Sequence, residues 1–187
     1  MQKVKENALG FTIIAAIWLL LSSVILVMNI VDMGFDAVPI LSLVISGCYG
    51  VVVFVFYMTS REKENGLAIV GLIFGIISII PSFMSGAFEG NAIITIQGLS
   101  LLLLSFGILE HKFIQAKILG WTMIGYSILS WVFSISDLTG FVGRGDYSSE
   151  FGVFTIVRMF LYVILACATL FFLIKEIELP KTQPTQQ

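Results

Sequence analysis

The chain has little with which to bind a metal or move a proton: one histidine and two cysteines in 187 residues. Charge is scarce as well, with charged side chains at 12% of the residues, about half the usual share in a soluble domain. The net charge of −2 says little about partners by itself, and no nucleic-acid partner is expected. Cys48 and Cys167 both fall inside apolar runs. They read as small apolar packing residues, and two thiols without a nearby histidine cannot close a zinc site. His111 sits between Glu110 and Lys112 and reads as a solvated turn residue. The sequence holds no His-Glu-x-x-His, no Gly-x-Ser-x-Gly, no glycine-rich phosphate loop and no pair of membrane-embedded aspartates. These absences point to a non-enzymatic protein without a metal or cofactor.

Apolar residues, by contrast, are abundant, at 58% of the chain with a mean hydropathy of +1.02. They form six stretches, at 9–31, 37–58, 67–86, 91–109, 117–136 and 152–174. Each approaches the ~20 residues that a helix needs to cross ~30 Å of hydrocarbon. In lipid, backbone amides are satisfied only within helices or closed barrels. The expectation is an all-α fold, a six-transmembrane-helix bundle with short loops over 1–177, followed by a disordered cytoplasmic tail at 178–187. No segment between the stretches reaches the ~40–50 residues needed to fold alone.

The basic residues orient the bundle. Lys3, Lys5, Arg61, Lys63, Lys112, Lys117, Lys175 and Lys181 fall on one face of a six-span topology, and Arg144 stands alone on the other. Basic flanks stay in the cytoplasm, so both termini are expected inside, with the cell inner (plasma) membrane as the location. The bilayer is the first partner, and a second copy or a membrane partner protein is the other candidate.

The third stretch carries Gly71, Gly75, Ser78 and Ser82 on one helical face, a helix-packing pattern that includes a Gly-x-x-x-Gly unit. Pro81 is expected to kink or end that helix. The run Gly71-Leu-Ile-Phe-Gly75-Ile-Ile-Ser-Ile-Ile-Pro81 resembles the glycine-and-proline helix of small six-span acid-resistance membrane proteins of enteric bacteria. The likeness covers this stretch alone, and the first and fifth stretches lack the matching proline, so no function is carried over from it.

Polar residues concentrate in the last two stretches. Ser127, Ser130, Ser134 and Asp137 form one stripe; Thr155, Arg158 and Tyr162 form another. Together they suggest a shared polar seam. Arg158 lies about 10 Å inside its stretch at about 1.5 Å per residue. An ion at that depth points to a functional site or a buried pair, with Asp137 the nearest counter-ion by sequence and Glu89 and Asp146 the alternatives. Gln97 reads as interhelical glue, and Trp18, Trp131, Tyr49 and Tyr126 as packing residues. These features favour a non-enzymatic accessory, stress-response or immunity-type membrane module. The alternative is a small-solute binding or transport subunit with its site between the fifth and sixth helices.

Overall fold

The computed structural model describes residues 7–30, 38–85, 91–139 and 150–178, and it is all-helical. Six helices follow in chain order: α1 (Ala8–Ile30), α2 (Val38–Arg61), α3 (Ala68–Ser85), α4 (Asn91–Leu109), α5 (Ile114–Thr139) and α6 (Glu150–Glu178). There is no strand among the described residues. Two helical segments, Ala8–Met28 and Leu43–Arg61, are long and apolar enough to cross a membrane. Shorter apolar stretches cover Ala68–Ile80, Thr95–Leu109 and Met159–Ile174. The tail beyond Glu178 lies outside the described residues.

Local chemistry sets the helix ends. Pro39 stands in the first turn of α2, where its missing N–H has no intrahelical partner to lose. Asn65 starts α3: its side-chain Oδ1 accepts from the Leu67 amide at 3.1 Å and its carbonyl from the Ala68 amide at 3.0 Å. Pro81 does not end α3, which continues to Ser85. The proline deletes one amide donor close to the helix end, and the remaining turn is short enough to tolerate that loss.

Between α2 and α3 the chain reverses through Glu64, which adopts φ 56° with its amide donating to the Arg61 carbonyl at 3.0 Å. A Cβ in that left-handed region costs about 1–2 kcal/mol. Glu64→Gly is therefore expected to stabilise the protein by up to about 1 kcal/mol, after the extra chain entropy of glycine. In a thermal melt that is a rise of about 2–4 °C in Tm for a domain of this size.

The helices close into a ring. Each packs on its neighbour in sequence, α1 also packs on α6, and α2 reaches across to α4. Neighbours run antiparallel. Along α4 and α5, for example, Thr95 faces Trp131, Gly98 faces Ser127 and Leu109 faces Gly120. A recurring clasp joins three of them: the Ser100 hydroxyl donates to the Gly71 carbonyl and the Ser127 hydroxyl to the Gly98 carbonyl, both at 2.7 Å. In each case a glycine brings the backbones close enough for one hydroxyl to span the crossing. Other hydroxyls bond back into their own helix, as Thr59 does to Val55 at 2.9 Å and Thr169 to Leu165 at 2.8 Å. That satisfies a polar group without a partner from another helix.

The small-residue face of α3 turns inward. A methyl at Gly71 would stand 2.8 Å from Leu104 of α4. One at Gly75 would overlap Val53 of α2 and lie 2.9 Å from the Ser100 hydroxyl. Ser78 is buried and donates to the Gly75 carbonyl at 2.7 Å. The Ser82 side chain lies outside the described residues.

Candidate functional site

The centre of the ring holds a cluster that unites five helices. Trp18 lies near the middle of the 23-residue α1, Tyr49 of the 24-residue α2 and Tyr126 of the 26-residue α5. Tyr162 of α6 and Gln97 of α4 complete it. The Trp18 and Tyr162 rings meet edge to face at 5.1 Å. Tyr49 stands 5.9 Å from Trp18 and 6.0 Å from Tyr162, and Tyr126 is 6.0 Å from Tyr162. These separations fit the favourable geometry of aromatic pairs. The Tyr126 hydroxyl donates to Gln97 Oε1 at 3.4 Å, and the Gln97 carboxamide also faces the hydroxyls of Tyr49 and Tyr162. All five side chains are buried.

The polar residues of α5 and α6 are distributed around this centre. Ser127 and Ser130 are buried on α5, and the Ser127 hydroxyl stands 2.7 Å from both the Gly98 carbonyl of α4 and the Met123 carbonyl of its own helix. Tyr162 faces α1 and α2 as well as α5. The side chains of Arg158, Asp137, Ser134 and Thr155 lie outside the described residues, as do Glu89 and Asp146. The structure thus brings Tyr162 together with Trp18, Tyr49, Tyr126 and Gln97, four residues that sequence reading assigns to packing. Cys167 is exposed on α6 and Cys48 is half-buried, and both are free thiols. Among the described residues, no three His, Cys, Asp or Glu side chains form a metal-binding group.

A second polar node lies where the 62–67 and 110–113 turns meet. The Asn65 amide donates to the Ser60 hydroxyl at 2.8 Å and to the Leu103 carbonyl at 3.0 Å, tying α2, α3 and α4 together. His111 is not solvated: it is 4% exposed, with Nε2 3.2 Å from the Thr59 carbonyl and its ring 5.5 Å from Phe113. The burial comes from the C-terminal turn of α2, which the flanking Glu110 and Lys112 do not reveal. A carbonyl only accepts, so the neutral ring carries its proton on Nε2.

Burial pushes the His111 pKa down from 6.5. The Thr59 contact pulls it the other way, Lys63 adds to the lowering and Glu110 opposes it. A depressed folded-state pKa means that the unfolded chain binds the proton first as pH falls. The stability that neutral His111 supplies is therefore fully present above about pH 6.5 and is lost as pH drops through the lowered value. Melting temperatures of the wild type are expected to fall between pH 7 and pH 5 more steeply than those of His111→Gln. The variant keeps an amide donor for Thr59 but cannot titrate.

Comparison of the chain with protein-family models, with curated proteins and with solved structures finds no match.

Proposed function

We propose that the chain is a six-span integral membrane protein of a bacterial inner membrane with both termini in the cytoplasm. In this reading it is a non-enzymatic accessory, stress-response or immunity-type module that acts through contacts with lipid and with itself or a membrane partner. One observation carries the reading, the inverted polarity of the bundle. Every helix turns large apolar side chains outward, among them Ile13, Phe54, Ile76, Phe106, Ile118 and Phe171, while Gln97 and, among the described residues, every serine but the half-buried Ser23 are buried. In water such a surface would exceed the few hundred Å² that monomers tolerate; in lipid it is the stable arrangement. The described charged side chains support the orientation. Arg61, Glu62, Lys63, Glu64, Glu110, Lys112 and Lys117 are all exposed, and all lie at the end formed by the two turns. The four basic ones suit a cytoplasmic face.

Membrane fractionation and reporter fusions test the topology. The protein should stay in the membrane fraction through alkaline carbonate washing. Alkaline phosphatase joined after Asp36, Glu89 or Asp146 should be active, and fluorescent protein should glow at either terminus. Phosphatase activity after Lys63 or Lys112 would overturn the orientation, and recovery in the soluble fraction would overturn the membrane reading itself.

The alternative reading, a small-solute binding or transport subunit, draws support from the inward-facing Ser127, Ser130 and Tyr162. The packed rings of Tyr126 and Tyr162 argue against it, since they close the described part of the seam between α5 and α6. Uptake of an anionic solute by proteoliposomes, lost in Arg158→Gln, would reverse that preference.

A further inference from the structure

Five buried polar atoms in and around the central cluster have no partner at hydrogen-bonding distance: Trp18 Nε1, Ser22 Oγ, Tyr49 OH, Gln97 Nε2 and Ser130 Oγ, although the Trp18 indole lies near the Tyr162 hydroxyl and the Gln97 carboxamide near those of Tyr49 and Tyr162. Their placement is layered. Trp18, Tyr49 and Gln97 belong to the cluster itself. Ser22 lies one turn beyond Trp18 on α1, and Ser130 one turn beyond Tyr126 on α5. α1 and α5 run the same way in the antiparallel ring, so both serines fall on the side of the cluster away from the 62–67 turn. The orphaned groups therefore span adjacent levels at the centre of one bundle, on four different helices.

Chemistry narrows what completes them. Trp18 Nε1 and Gln97 Nε2 carry only donor hydrogens, while the three hydroxyls can donate or accept. The missing ligand must offer lone pairs, which rules out a cation. Among the described residues, no charged side chain stands beside the cluster to balance an anion. A small neutral acceptor remains, and it must also donate to some of the hydroxyls. Water does both, and buried waters typically make about three bonds to groups that the protein leaves unpaired.

We propose that the layer bounded by Trp18, Tyr49, Gln97, Ser22 and Ser130 is a binding site for ordered water, an internal ligand that joins α1, α2, α4 and α5. One water accepts from the indole and the carboxamide and donates to a hydroxyl, and a second serves the remaining hydroxyls. The site needs no charged residue and is independent of the accessory role.

Hydroxyl-radical footprinting of the full chain in lipid nanodiscs tests this, because X-ray pulses generate the radical from bound water in place. After correction for intrinsic reactivity, Trp18 and Tyr49 should be modified at least threefold faster than Phe56 and Phe172, which are buried in the same core. Gln97→Leu should lower Trp18 modification at least threefold, and the milder Ser22→Ala about twofold. Unfolding would raise modification, so a fall cannot be a folding defect. The wild type decides the matter by itself: if Trp18 and Tyr49 are as protected as Phe56 and Phe172, the layer is dry and the proposal fails.

Discussion

Gly107→Ala is expected to lower the melting temperature by about 6–12 °C or to abolish recovery of folded protein. The reason is the kind of atom that the new methyl meets. At Gly107 a Cβ would lie 2.6 Å from the Ser60 carbonyl oxygen and 2.7 Å from the Ser60 Cα, and it would overlap the Ser60 hydroxyl. A side chain can rotate away, but backbone moves only with its helix, so α2 and α4 must separate where they cross. Overpacking costs about 1–3 kcal/mol when side chains can yield and more when they cannot. We take about 3 kcal/mol, at about 2–4 °C per kcal/mol for this size. Separation would also pull Ser60 from Asn65, which bridges to the Leu103 carbonyl. Gly47→Ala is the control: nothing lies within 4 Å of its position, so its melting temperature should match the wild type or exceed it. Fluorescence-detected size exclusion after heating reads both variants. Equal melting temperatures for the two would show that α2 and α4 do not cross at Gly107.

The sequence makes the helices legible because its punctuation is strong. Charged turns at 61–64 and 110–112 interrupt long apolar runs, and Pro39 sits where a helix can begin. It makes the neighbours much less legible. Ser127 and Ser130 lie on a buried face of α5, yet a stripe reports only direction about its own axis. Whether that face meets α4 or α6 depends on the order of helices around the ring, and Ser127 meets Gly98 of α4. The central cluster is hidden in the sequence for a related reason. When core-facing and outward-facing residues are both apolar, Trp18 and Tyr49 carry no periodic contrast with their surroundings. His111 reads as solvated in the sequence because its local neighbours are charged, while the Thr59 carbonyl that it meets arrives from α2, about 50 residues earlier in the chain. Asn65 carries no local signal of its bridge to α4, because that bridge depends on a contact 38 residues away.

The cluster is where a single truncation should do the most harm. Trp18→Ala is expected to cost about 3–5 kcal/mol, the range for removing a large aromatic from a packed core. That corresponds to a fall of about 6–20 °C in Tm. Trp18 is fully buried and touches both Tyr49 and Tyr162, so its loss opens a cavity between α1, α2 and α6. Trp121→Ala removes the same atoms from a side chain 65% exposed on α5, and there the effect should stay within about 0.5 kcal/mol. Trp18→Phe separates packing from polarity. It keeps a ring against Tyr162 while deleting the indole N–H, so most of the loss should be recovered if contact between rings dominates. The three melts together assign the role of the cluster. A large fall in Trp18→Ala with substantial rescue by Trp18→Phe makes it the keystone that fixes α1 and α6 against the rest of the ring. Equal effects for Trp18→Ala and Trp121→Ala would mean that the rings do not hold the bundle, and that the glycine and serine clasps of α3, α4 and α5 carry its stability instead.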